Sequence, residues 1–375
     1  VLVLAAGVAF SGGTSVDPLA PRGFPGVVPA FLASARGTPG EGTRVDAEDG
    51  AQTAWQRDQR WLARARPLGR GAPEWARRMY RRSLLVLRAL IDRNGAAVAG
   101  ARAGWAYVWP RDAGAVTVAL ASAGYQAEAR RIARFLLGLD LGAAARFDRD
   151  GGPVEGRGAQ GDAAGWVAAA ARAAGIRAPT AGTESATAGV RRPAWRDRAD
   201  YQEGDAGDYL GNAIASGSSS SLIAKDFGAG GTLVRIAGDP GSGPDSTAAW
   251  AVRPFPHPAL FPAARRTLLR LIAVRGTRFG VVPSAGWRGG DNPWTAPTAW
   301  AAWALAALAR EDRDRGRRTA DRRAALGLMA DLRRAATPLG LLPERVDAST
   351  GMPTSTTPLA WSHAFAVLAL RELWR

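Results

Sequence analysis

The chain has 375 residues, 47% hydrophobic and 22% charged, the balance of a globular protein long enough for two average domains or one large repetitive one. It has no cysteine and only two histidines, His257 and His363, which excludes a disulfide framework and a thiolate metal site and argues against histidine-bound zinc. The net charge of +16 would suit a nucleic-acid binder. The arginines are spread through nearly every segment, however, and alternate with acids, as in "REDRDRGRRTADRR" (310–323). That pattern reads as a solvated helical face, and no nucleic-acid motif accompanies it. No specific nucleic-acid partner is expected; a general affinity for polyanions is the alternative that net charge alone supports.

The chain opens on "VLVLAAGVAF", ten apolar residues, too short to span a bilayer and without a basic segment before them. Two readings stand side by side: the tail of an export signal or anchor, and a buried strand or leader. The first favours a secreted or envelope-associated protein over a cytoplasmic one. Residues 11–55 are rich in Gly, Pro and Ser, and 1–72 as a whole read as a leader and wrapping segment. From residue 73 the pattern turns helical. Trp75, Met79, Leu84, Leu87, Leu90 and Ile91 recur at three- and four-residue steps, and Gly95 follows as a stop.

Further helical stretches are expected over 111–123, 125–140, 161–175, 205–225, 258–275, 293–310, 318–336 and 357–374. Many are alanine-rich, which favours helix and permits close helix–helix approach. Strand signals are confined to "GGTLVRIAG" (230–238) and "RFGVVPS" (278–284). About a dozen helices across 73–375, with no segment of membrane-spanning length, point to an all-α fold built as a toroid of paired helices.

The loops between these helices are long and carry Trp, Asp, Glu, Asn and Gly together, as in "ARAGWAYVWPRD", "DRDGGPVEGRGAQGD" and "LLPERVDASTGMPT". Loops of that length in a compact domain tend to be functional. With no Cys and almost no His, carboxylates are the leading acid–base groups, and glycoside hydrolysis is chemistry that two carboxylates perform. Asp112, Glu155, Asp162, Glu203, Asp205, Asp208, Asp291, Glu344 and Asp347 are the loop candidates, though a single loop acid is usually a cap or a solvated group. Asp112, in "WPRD", reads by itself as an N-terminal helix cap that accepts unpaired backbone N–H groups. Trp105, Trp109, Trp287 and Trp294 lie in Gly-rich loops, where sugar stacking and ordinary packing are equally plausible readings. Trp166, Trp250, Trp300 and Trp303 lie on apolar helical faces and read as core.

Over residues 75–374 the chain resembles the glucoamylase family of inverting glycoside hydrolases. "RRSLLVLRALIDRNGAAVAG" followed by "GWAYVWPRDAG" is similar to the family's opening helix and W-x-R-D loop. "GRGAQGDAAGW" is similar to the next substrate-side helix start, "GGDNPWTAPTAWAAWAL" to the Asn-Pro-Trp helix start, and "GLLPERVDASTGMPTSTTPLAWSHAFAVLAL" to the Leu-Leu-Pro-Glu loop and closing helix. The resemblance implies an (α/α)6 barrel, or six-hairpin toroid, over 73–375. It implies Glu344 as catalytic base and, from "ADYQEGDAGDYLGN", Glu203 as general acid, kept protonated by a partly desolvated site. It also implies Trp109, Arg111, Asp112, Gln160, Asp162, Trp294 and Arg345 as substrate-binding residues. Gln202 stands where the family has tryptophan before the acid, Gly204 where fungal members have a second glutamate, and Arg345 where many members have glutamine. The implied protein is a monomer with no metal or other cofactor, releasing glucose from the non-reducing ends of α-glucans or α-glucosides. A trehalase- or dextran-type relative and a non-catalytic glycan-binding barrel are the alternatives.

Overall fold

The computed structural model describes residues 51–177, 195–287 and 289–375; the apolar run at the start of the chain and most of the 1–72 segment lie outside them. Eleven α-helices follow one another among the described residues: α1 (Ala51–Leu62), α2 (Glu74–Ala89), α3 (Pro110–Ser122), α4 (Gln126–Leu137), α5 (Ala163–Ala173), α6 (Leu210–Ala215), α7 (Ser220–Phe227), α8 (Phe261–Arg275), α9 (Thr295–Glu311), α10 (Arg315–Ala335) and α11 (Ala360–Leu373). A 3-10 helix, Ser246–Ala251, stands between α7 and α8.

These elements form two concentric layers. The inner one is a closed ring: α3 packs on α5, α5 on α6, α6 on the 3-10 helix, that helix on α9, α9 on α11, and α11 back on α3. Outside it, α2 covers α11, α4 covers α3 and α5, α7 covers α6, α8 covers the 3-10 helix and α10 covers α9. This is the paired-helix toroid expected from the alanine-rich repeats. The chain between α5 and α6 includes residues 178–194, which are not described.

Composition decides which helix lies where. Every residue of α9 from Thr295 to Ala309 is buried, as are all of α11 but Arg371. A helix apolar all round belongs inside, and small side chains let such helices approach closely. At Gly165 in α5, a Cβ would lie 1.9 Å from the carbonyl oxygen of Ala215 in α6, so these helices touch backbone to backbone. The outer α10 instead buries Asp321, Ala325, Leu328, Leu332 and Ala335 at three- and four-residue steps and gives its arginines to solvent.

Two local expectations are revised. The stretch 205–225 holds two short helices rather than one; Gly217, with φ of 78°, turns the chain between α6 and α7, and Ser219 caps α7 by accepting from the Leu222 N–H. Part of the wrapping segment is the helix α1, fastened to the barrel where Trp61 stacks on Tyr125 at 3.8 Å and donates to Glu128. The two strand signals form small sheets in the loops. β1 (Gly228–Ala229), β2 (Thr232–Ile236) and β3 (Asp239–Pro244) make an antiparallel three-stranded sheet, while β4 (Gly276–Thr277) and β5 (Gly280–Val281) make a two-stranded ribbon. No helix among the described residues is long and apolar enough to cross a membrane.

Candidate active site

Inner helices α3, α5, α9 and α11 all begin at one end of the ring. Their starts and the loops before them enclose a cavity of about 260 Å³. Single backbone bridges tie these loops to one another: Gly100 with Leu359, Val108 with Phe147, Gln160 with Ala199, and Trp294 with both Val281 and Arg345. The rim is thereby fixed by hydrogen bonds rather than by a continuous sheet. Trp105, Trp109, Trp287, Trp294 and Trp361 line the cavity, with Arg111, Asp112, Glu203 and Glu344 among them. All four loop tryptophans stand here, whereas Trp166, Trp250, Trp300 and Trp303 are in the core.

Arg111 and Asp112 lie in the first turn of α3, where helix N-terminal dipoles favour negative charge. The N-cap itself is Trp109, whose side chain makes no capping bond; Asp112 therefore serves as a first-turn acid and not as a side-chain cap. Both charged side chains are almost fully buried. Arg111 donates to Gln160 Oε1 at 2.6 Å and to Asp162 Oδ2 at 3.3 Å, pairs with Asp112 at 3.4 Å, and lies over the Trp361 ring at 4.6 Å. Gln160 and Asp162 are thus partners that orient Arg111; neither lines the cavity. Burial pushes the Asp112 carboxyl up to about 7, opposed by Arg111 and reinforced by Asp162 and Glu344.

Glu203 closes a tight turn in which its N–H donates to the Asp200 carbonyl at 2.9 Å, and its own φ is 53°. The left-handed conformation of a non-glycine residue is uncommon and costs of the order of 1 kcal/mol or more. Here the surrounding contacts hold it. Asp200 accepts from the Gln202 N–H at 3.0 Å and pairs with Arg235 at 3.0 Å. Gln202 is buried at the cavity wall and donates to Tyr201 Oη at 2.8 Å and Ser284 Oγ at 2.9 Å. The Glu203 carboxylate accepts from Trp109 Nε1 at 2.5 Å and from Gln160 Nε2 at 3.3 Å, and forms an ion pair with Arg157.

Glu344 is held from its backbone. Its N–H donates to the Thr356 carbonyl at 2.9 Å, and its carbonyl accepts from the Thr295 N–H, the first residue of α9, at 3.0 Å. Its Oε2 accepts from the Ser355 hydroxyl and stands 3.9 Å from Arg345 Nε. Behind the loop, His363 is fully buried and accepts from the Leu342 N–H through Nε2 at 2.9 Å, so its proton sits on Nδ1, which faces Ser83 Oγ at 2.9 Å. Burial lowers this imidazole to about 3, which keeps it neutral and able to accept.

No protein-family model matches the chain, nor does any curated protein. Solved structures do. A glutamate-to-alanine variant of a glycosidase in complex with glucose aligns over 84% of this chain and 98% of its own, at 20% identity and a TM-score of 0.62. The glucoamylase from Saccharomycopsis fibuligera aligns over 82% and 96%, at 13% identity and a TM-score of 0.60. The fold is that of the glucoamylases. A bacterial glucoamylase complexed with acarbose aligns over 86% of this chain and 58% of its own, at 16% identity and a TM-score of 0.59.

On this barrel Trp109, Arg111, Asp112, Glu203, Trp294, Glu344 and Arg345 share one cavity. The other loop acids lie elsewhere: Asp208 pairs with Arg196, Asp291 is exposed beside Arg275, and Asp347 accepts from Ser349 and Thr350 in its own turn. Sequence reasoning did not single out Arg157, Tyr201, Ser355 or Trp361. Arg157 lies two residues before Ala159 in the same loop as Gln160, and Trp361 opens α11 beside the buried His363, so proximity to these landmarks was the available signal. The indole Nε1 atoms of Trp287, Trp294 and Trp361 are buried and have no acceptor among the described residues.

Proposed function

We propose that this protein is a glycoside hydrolase that works by single displacement from the non-reducing end of α-glucans or α-glucosides. The observation that carries the reading is the arrival of Glu203 and Glu344, from loops far apart in the chain, in one indole-lined cavity beside Arg111 and Asp112. Glucose and acarbose, bound by proteins of the same fold, represent the class of ligand proposed.

In this reading Glu203 gives a proton to the glycosidic oxygen while Glu344 removes one from a water that attacks the anomeric carbon. The bond to the leaving oxygen breaks as the bond to water forms, which inverts the anomeric centre. The Trp109 N–H fixes one oxygen of Glu203, and the Ser355 hydroxyl fixes one oxygen of Glu344, leaving its other oxygen to accept the water's proton. Arg111, held by Gln160 and Asp162, and its neighbour Asp112 supply a rigid donor–acceptor pair for sugar hydroxyls.

Substituting Glu203→Gln or Glu344→Gln keeps each side chain's size and removes its acid–base function. Each is expected to lower kcat on maltose by about 10²–10⁴-fold, while calorimetry still detects maltose binding. Full activity in either variant contradicts the role given to that residue. Sugar binding by a wild type that cleaves no α-glucoside favours the non-catalytic glycan-binding reading.

A further inference from the structure

The starts of two apolar inner helices carry buried polar side chains. Ser362 and His363 lie in the first turn of α11, Thr295 is the first residue of α9, and Ser83 faces His363 from the outer helix α2. All four are fully buried. A polar group placed there costs stability unless it is hydrogen-bonded. The bonds these side chains make converge on Leu342 and Pro343, the two residues that lead into Glu344.

Pro343 has no N–H, so that of Leu342 is the last backbone donor before Glu344 itself. It goes to His363 Nε2 at 2.9 Å, while the Leu342 carbonyl accepts from the Leu359 N–H at 2.9 Å. The Pro343 carbonyl accepts from Thr295 Oγ1, which lies 2.7 Å from Ser362 Oγ. The contact with His363 depends on the tautomer. Nε2 accepts only without a proton, which leaves Nδ1 to donate to Ser83 Oγ, 2.9 Å away. The other tautomer would set an Nε2–H against the Leu342 N–H, donor facing donor. The doubly protonated ring would do the same, and burial and the charge of Arg82 both oppose it.

We propose that Ser83 and His363 act together as positioning residues for Glu344: Ser83 selects the imidazole tautomer that holds Leu342, and the strand of chain from Leu342 to Glu344 then sets where the carboxylate stands. The proposal rests on the reading of Glu344 as catalytic base. A base must meet its water within hydrogen-bond reach, and a misplacement of about 1 Å can cost about 10²-fold in rate. In the same reading the sugar is held by Arg111 and Asp112 at the start of α3, away from the Leu342 backbone. Loss of the Ser83–His363 pair therefore slows turnover and leaves substrate affinity in place.

The test measures kcat and KM on maltose and on α-glucosyl fluoride, whose fluoride departs with little help from a general acid, so that a defect there reports on the activation of water. His363→Leu removes both ring contacts; kcat is expected to fall by about 10–10²-fold on both substrates, with KM changed by less than about threefold. His363→Gln, whose amide oxygen can stand where Nε2 does, recovers most of the lost rate. Ser83→Ala lowers kcat in the same sense, and adding it to His363→Leu costs nothing further, as expected of two residues that act as a unit. Thermal melting establishes that the variants are folded at the assay temperature. If His363→Leu does not fold, the fall in kcat at constant KM in Ser83→Ala, which changes little volume, carries the comparison. Wild-type kcat in His363→Leu or Ser83→Ala, a rise in KM without a fall in kcat, or a His363→Gln variant as slow as His363→Leu overturns the proposal while the hydrolase reading stands. Failure of the wild type to cleave either substrate overturns the hydrolase reading, and this proposal with it.

Discussion

Asp112 shows how one residue serves both helix and site. It stands in the first turn of α3, shares a buried ion pair with Arg111, and lines the cavity. Burial raises its carboxyl from an ordinary 3.8 to about 7, so the folded protein binds a proton there that the unfolded chain has released. Its contribution to stability is therefore fully present below about pH 4 and is lost as pH rises through about 7. Asp112→Asn removes that ionisation. The variant's melting temperature is expected to fall less than the wild type's between about pH 4 and 7, as scanning calorimetry across that range would show; an unchanged slope contradicts the assignment. The residue's sequence context, Trp-Pro-Arg-Asp before an apolar run, made both a helix-start role and a ligand role legible. The ion pair between Glu203 and Arg157 was not, because nothing in local sequence says which side chain crosses the Trp109 ring. Nor did spacing distinguish Gln160 and Asp162, which grip Arg111, from residues at the cavity wall.

Among the elements, the inner ring depends on small side chains at its crossings. Gly165 is the sharpest case, with the Ala215 carbonyl where a Cβ would stand. Gly165→Ala forces α5 and α6 apart and is expected to destabilise the protein by about 1–3 kcal/mol. Gly327, in the outer helix α10, has open space where a methyl group would go, and Gly327→Ala should instead stabilise by about 0.4–1 kcal/mol through its helix preference. Paired denaturant titrations check the contrast; equal effects would mean that the crossing tolerates a methyl group. Most helices were legible in the sequence because burial on one face or all round leaves a three-to-four-residue pattern, as in α10 and α9. The stretch 205–225 reads as one helix because composition there is helical on both sides of Gly217, and only the turn geometry at that glycine divides it. The Ser246–Ala251 helix escapes for a related reason: six residues are too few to show a period, and tertiary packing against α6 and α9 defines it.

At the scale of the molecule, the closed ring is what gathers the chemistry. Its inner helices begin at the same end, so loops separated by most of the chain meet there, and their indoles and carboxylates form one cavity. Alanine-rich repeats foretold the toroid; only closure brings Glu203 and Glu344 together, and closure is a property of the packed whole. Inverting hydrolysis, the activity proposed above, would distinguish this arrangement from a carbohydrate-binding barrel. Proton NMR of maltose hydrolysis, recorded in the first minutes before mutarotation, observes it directly. The glucose released from the non-reducing end is expected to appear first as the β anomer. Initial release of α-glucose from that end, or no glucose at all, would contradict it.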